Sequence, residues 1–170
     1  ADGRFGENKM RIYASQNAPF TIMYDSWKAH SRELVPMTPE EGRQKAEVIL
    51  GKVLSNRKPP YSLAGGLFDV LEKSGGDMFK VSNDEIVSWV VKYFSLEGYD
   101  LFPASACAVS SLQQALDAGI VKHDETVMLN VTGGGMLGAT RKGFILKEPD
   151  LILSPDLPAE EIIAAVDKLF

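Results

Sequence analysis

Cysteine is almost absent from this chain. Its 170 residues include one, Cys107, and two histidines, His30 and His123. A single thiol closes no intrachain disulfide and builds no cysteine metal cluster. The histidines lie far apart in sequence, without metal-ligand spacing, so no metal site is expected. Such a chain suits a reducing compartment, and the cytoplasm is the simplest expectation. Long apolar runs are missing too: no stretch approaches the ~20 residues of a membrane span. The opening Ala1-Asp-Gly-Arg-Phe-Gly-Glu7 is polar and has no signal-peptide character. There is no excess of positive charge either. The net charge is −5, and the basic residues are scattered apart from Arg57-Lys58 and Arg141-Lys142. That balance argues against nucleic acid or an anionic membrane surface as the main partner. No Walker loop and no Gly-x-Ser-x-Gly nucleophile elbow occurs.

What is present is enough for one domain. With 45% hydrophobic residues in 170, the chain can bury a real core, and 1–170 is expected to form a single unit. The first residue is not Met and a polar stub leads directly into a strand, the expected start of a fragment of a larger protein. The chain is organised around Val127-Met-Leu-Asn-Val-Thr-Gly-Gly-Gly-Met136. An apolar, β-branched run that stops at glycines reads as a buried strand. In α/β proteins a strand opening into a Gly-rich turn is a usual place for ligands.

Strands and helices alternate around it. Residues 10–15 read as a strand, followed by a helix over 21–34. Thr38-Pro39-Glu40-Glu41 starts a second helix, running to about Ser55, with Thr38 and Glu41 as a capping box. A helix at 63–73 stops at Gly75-Gly76, and 78–81 is a strand. Ser82-Asn-Asp-Glu85 is a second capping box, opening a helix that ends at Gly98. A strand at 99–102, a helix at 104–118 and the strand at 127–132 follow. Residues 151–153 form a further candidate strand, and 159–169 a last helix. This alternation predicts an α/β, three-layer αβα fold with a mostly parallel sheet.

Three segments offer polar groups at strand ends. Thr132 carries a hydroxyl beside Gly133 and Gly134, whose lack of side chains allows close backbone approach to a flat or anionic group. Glu97 ends a helix, and Ser105 lies among small residues where the next begins. Gln16 and Asn17 follow the first strand. Each also has a plainer reading: a tight turn, a solvated carboxylate, small residues chosen for packing. Cys107 reads as a buried helical residue rather than a nucleophile.

Taken in order, the strand and polar turn at 10–17, Gly-Gly-Asp-Met-Phe-Lys-Val-Ser-Asn-Asp-Glu-Ile at 75–86, Glu-Gly-Tyr-Asp-Leu-Phe-Pro-Ala-Ser-Ala at 97–106 and Val-Met-Leu-Asn-Val-Thr-Gly-Gly-Gly at 127–135 resemble the C-terminal part of the fold type II pyridoxal-phosphate enzymes, the tryptophan synthase β family. Threonine synthases in that family show similar motifs in this order. Phe102 stands where they usually have Glu, and Thr132-Gly-Gly-Gly replaces their Thr-Gly-His-Gly. These departures resemble the cysteate synthase branch. The resemblance covers roughly residues 9–136.

It implies pyridoxal 5'-phosphate as cofactor and a phosphorylated amino acid as substrate, with sulfite as a possible second substrate. The enzyme would perform β-replacement, with the threonine synthase reaction as the alternative; a non-catalytic anion-binding module is the alternative outside enzymes. Carried over by position, Thr132 is the hydroxyl for the pyridine nitrogen, Gly133 and Gly134 line the ring edge, and Glu97 lies near the ring. Gln16, Asn17 and Ser105 fall toward the substrate. No lysine here has the context of the family's Schiff-base lysine, and the phosphate-binding cup is not recognisable. The chain would therefore hold one wall of a site and be inactive alone. The family is commonly dimeric, so a homodimer is possible.

Overall fold

The structure is a computed structural model describing residues 6, 9–134, 140–143 and 147–169. The chain divides into two units, Ala1–Gly138 and Ala139–Phe170.

In the first unit, β1 (Tyr13–Asn17) pairs in parallel with β2 (Asp77–Val81), in register from Tyr13↔Asp77 to Asn17↔Val81. A parallel pair needs a long crossover and is normally covered on both faces. Alternation along the strands sets the two faces. Ala14 and Met78 pack with Tyr61, with Tyr24 and Trp27 of α1 (Ile22–Lys28), and with Leu71 of α3 (Leu67–Ser74). On the other face, Tyr13 and Phe79 pack against Leu112 and Ala115 of α5 (Pro103–Asp117). Val81 joins Ile86 of α4 (Asn83–Glu97) and Ala106 and Cys107 of α5. The result is the expected helix–sheet–helix layering around a small parallel sheet.

The direction of α5 matters for the site. Its first turns lie beside Ser15, whose hydroxyl meets the Cys107 thiol, and its last turns lie beside Tyr13. Arg11, just before β1, donates from Nη1 to the Ile120 carbonyl at 3.0 Å. Helix α5 thus runs antiparallel to β1, and its N-terminus lies toward the carboxyl ends of both strands.

Both capping boxes form. Thr38 Oγ1 accepts from Glu41 N, and the Glu41 carboxylate accepts from Thr38 N, opening α2 (Pro39–Val48). Ser82 and Glu85 do the same for α4. Gly75 and Gly98 end α3 and α4 in the left-handed region, where a Cβ is unfavourable.

Several elements are shorter than the sequence predicts. Helix α1 stops at Lys28, and His30 turns to φ 51, so the predicted helix over 21–34 is cut. Helix α2 stops at Val48 because nearby polar groups leave the helical ladder: Asn83 Nδ2 donates to Val48 O, Leu50 N donates to Asn83 Oδ1, and Gly51 N donates to Asn17 Oδ1. Only a short 3₁₀ turn, Lys52–Leu54, follows. The expected strand at 99–102 is a single antiparallel bridge, Leu101↔Gly134.

Residues 127–132 do not form the expected buried strand. Val127 and Met128 are 44% and 83% exposed, and no strand lies beside this run among the described residues. An apolar, β-branched pattern records a preference for pairing, while the ladder still needs a partner. Gly135, Met136 and Gly138 lie outside the described residues.

In the second unit, the candidate strand at 151–153 does not form, and α6 (Ala159–Val166) passes into a 3₁₀ turn at Asp167–Leu169. No helix among the described residues is long and apolar enough to cross a membrane.

Candidate functional site

Gln16 and Asn17 end β1, and the start of α5 lies toward the same carboxyl edge of the sheet. One cluster joins the Gly-rich turn to the start of α5. Gly133 N donates to Ser105 Oγ at 2.9 Å, and Phe102 N donates to Gly133 O at 3.3 Å. A Cβ on Gly133 would stand 3.1 Å from both Phe102 Cβ and Ser105 Oγ, so the turn packs directly on the helix start. A Cβ on Gly134 would meet nothing within 4 Å. Thr132 is exposed, and its hydroxyl has no partner among the described residues. Ser105 is 3% exposed; its oxygen accepts from Gly133, which leaves its own hydrogen to donate. Thr132, Gly133, Gly134 and Ser105 are therefore brought together. Glu97 is exposed at the last position of α4, four residues before the Leu101 bridge.

Asn17 is completely buried, and its amide works within the fold. Its Nδ2 lies within 3.1 Å of the Ala18 and Val81 carbonyls and of Asn83 Oδ1, while its Oδ1 accepts from Gly51 N at 2.9 Å. With Asn83 it clamps the 48–51 turn to the strand ends. Sequence reasoning had no signal for this clamp, because the turn it holds is remote in sequence.

Gln16 is 1% exposed and half satisfied. Its Oε1 accepts from Met23 N and Tyr24 N at 2.8 and 2.9 Å, and its Nε2 has no hydrogen-bond partner. It lines a half-open cavity of about 320 Å³ whose wall includes Met23, Leu54, Asn56, Pro60 and Leu67. Leu54 in turn packs against the cluster containing Ala106 and Cys107, next to Ser105.

Cys107 is fully buried, as its sequence setting suggested. Burial pushes its thiol up to about 11 despite the opposing hydrogen bond with Ser15, and the Glu85 charge adds to the rise. A thiol held protonated is a poor nucleophile. Glu85 is shifted the other way. Burial alone would raise its carboxyl, but hydrogen bonds from Ser82 and Gln114 outweigh that and hold it below the usual range. Among the described residues, no group of three His, Cys, Asp or Glu could hold a metal ion.

A parallel α/β layer with a glycine turn and a helix start at its carboxyl edge is the arrangement in which α/β proteins usually place ligands. No family model matches the chain. Individual proteins do. The chain is 38% identical over 164 residues to cysteate synthase of Methanosarcina acetivorans, covering 95% of this chain and 39% of that protein. Against cysteate synthase of Methanocella paludicola it is 38% identical over 168 residues, covering 97% and 39%. Against that of Methanospirillum hungatei it is 37% identical over 169 residues, covering 99% and 40%. The chain is thus similar to cysteate synthases over nearly all its own length and spans about two-fifths of theirs.

Proposed function

We propose that this chain is the C-terminal section of a pyridoxal-phosphate enzyme that joins O-phospho-L-serine and sulfite to give L-cysteate and phosphate. The observation that carries this reading is the likeness to proteins named cysteate synthase, which runs through the Gly-rich turn and the Ser105 helix start. The residues fit the cofactor on this wall. The Thr132 hydroxyl has no partner among the described residues, and Gly134 leaves open space where a side chain would stand. When bound, pyridoxal phosphate supplies the electron sink that lets phosphate leave the β-carbon of the substrate and sulfur take its place.

Thr132 would meet the pyridine nitrogen as a neutral partner, which restrains electron withdrawal and favours β-replacement over transamination. Gly133 and Gly134 would line the ring edge, with Glu97 on the same side. Ser105 fixes the turn by accepting from Gly133 N and keeps a hydrogen to donate to an anionic group. The lysine that anchors the cofactor and the cup for its phosphate would come from sequence outside this chain, which alone would be inactive. A cytoplasmic homodimer completes the proposal.

The test is a product assay on the full-length protein. O-phospho-L-serine plus sulfite should yield L-cysteate, and O-phosphohomoserine alone should yield no threonine. Thr132→Val should weaken the visible absorption of bound cofactor and lower turnover. A full-length protein that forms no L-cysteate would overturn the proposal.

A further inference from the structure

The two edges of the β1–β2 sheet are not alike. In a parallel ladder a residue turns its N–H and C=O to the same side, and successive residues turn to opposite sides. Ala18 N donates to Val81 O at 2.8 Å. With the observed register, Ala14 and Gln16 therefore face β2, while Tyr13 and Ser15 face away from it. By the same alternation Gly76, Met78 and Lys80 face outward from β2.

The outer edge of β2 is taken up by the chain's own groups. Gly76 N donates to Leu71 O at 3.1 Å, Met78 N donates to Asp77 Oδ1 at 2.7 Å, and Lys80 O accepts from Gln114 Nε2 at 3.0 Å. Lys80 is also exposed, and a lysine is a usual device for discouraging a further strand. The outer edge of β1 carries no such blocks. Tyr13–Asn17 holds no charge and no proline. Tyr13 and Ser15 are partly exposed, and their outward N–H and C=O groups have no partner among the described residues. Open space lies on this side of the pair. Ser15 and Gln16 line the half-open cavity of about 320 Å³ together with Val53, Leu54 and Leu67, and no residue of β2 borders it. Helices already cover both faces of β1, the setting of a strand inside a parallel sheet.

We propose that β1 is an interior strand of a larger sheet, and that its outer edge takes a parallel strand from the part of the full-length protein outside this chain. The polypeptide for it is available, since the chain spans about two-fifths of the cysteate synthases it matches. The incoming backbone would pair with the outward groups of Tyr13 and Ser15, and β2 would end the sheet. The inference rests on the reading that this chain is a section of a longer protein, and not on the reaction.

The test is hydrogen exchange of the full-length protein, read at single residues by mass spectrometry. The Tyr13 and Ser15 amides should exchange about 100-fold or more slowly than the outward Lys80 amide, because a bonded amide exchanges only when its partner opens. Their protection should not change on dilution. Two proline variants give an independent readout, since proline is tolerated at a sheet edge and not inside one. Ser15→Pro should lower Tm by about 6 °C or more, and Lys80→Pro by no more than about 3 °C. Ser15→Ala keeps the N–H and should stay with Lys80→Pro. Exchange at Ser15 as fast as at Lys80, or equal tolerance of the two prolines, would overturn the inference. Protection lost on dilution would assign the edge to a second copy and overturn it too. L-cysteate formed by a protein whose β1 edge exchanges freely would remove this inference and leave the reaction; a protected edge without L-cysteate would do the reverse.

Discussion

Replacing Asn17 by Asp changes one atom type and little shape, so it tests what the buried amide does. In the parent, Nδ2 faces three acceptors at 3.0 to 3.1 Å: Val81 O, Ala18 O and Asn83 Oδ1. Two amide hydrogens serve them. In Asn17→Asp an oxygen faces those oxygens, while the contact from Gly51 N survives. Each acceptor left unsatisfied in a buried setting costs roughly 1–3 kcal/mol. With two bonds lost and a charge in a site with no exposure, we expect a loss of about 3–5 kcal/mol. For a chain of this size that lowers Tm by roughly 6–20 °C, at about 2–4 °C per kcal/mol. Urea unfolding followed by circular dichroism measures it, and a double-mutant cycle with Asn83→Ala isolates the share carried by the pair. A loss below about 1 kcal/mol would refute the reasoning. It would mean that the side chain is not held by the fold and is available to a ligand.

Other outcomes follow from the same geometry. Gly133→Ala should cost about 1–3 kcal/mol, since its Cβ meets Phe102 and Ser105 at 3.1 Å; Gly134→Ala should stay within about 0.5 kcal/mol, and paired urea titrations compare them. Because Glu85 is held below its usual range in the fold, its contribution is present above the unfolded pKa and is lost as pH falls through the lowered one. Acid titration of stability should therefore steepen below about pH 4, and Glu85→Gln should flatten that slope. Cys107, pushed up to about 11 by burial, should resist iodoacetamide at pH 8 in the folded protein and react once urea unfolds it, as mass spectrometry would read.

Local signals in the sequence survived folding where their cause was local. The capping boxes at Thr38 and Ser82 need four consecutive residues, and both formed. Gly75 and Gly98 end their helices as read, because a left-handed turn is a property of one residue. Cys107 was legible as core from its small neighbours. What could not be read depended on partners distant in sequence. The end of α2 is set by Asn17 and Asn83, which lie 34 and 35 residues from the groups they capture. The Val127–Val131 run has strand composition, yet composition does not supply a neighbouring strand. At the carboxyl edge Gly133 meets Ser105 across 28 residues of sequence, while the last two residues of β1 differ: Asn17 is fully engaged in the scaffold, and Gln16 keeps a buried amide nitrogen without a partner among the described residues.

The two arms at the carboxyl edge are anchored differently. The 48–51 arm is bolted through several amide contacts from Asn17 and Asn83, all drawn from strand and helix ends. The Gly-rich arm is tied to α5 by the Gly133–Ser105 and Phe102–Gly133 bonds and a single bridge. The first arm hangs on the side-chain amides of two residues and the second on one hydroxyl and the backbone of a helix start, so loss of Asn17 or Asn83 would release the first and leave the ties of the second untouched.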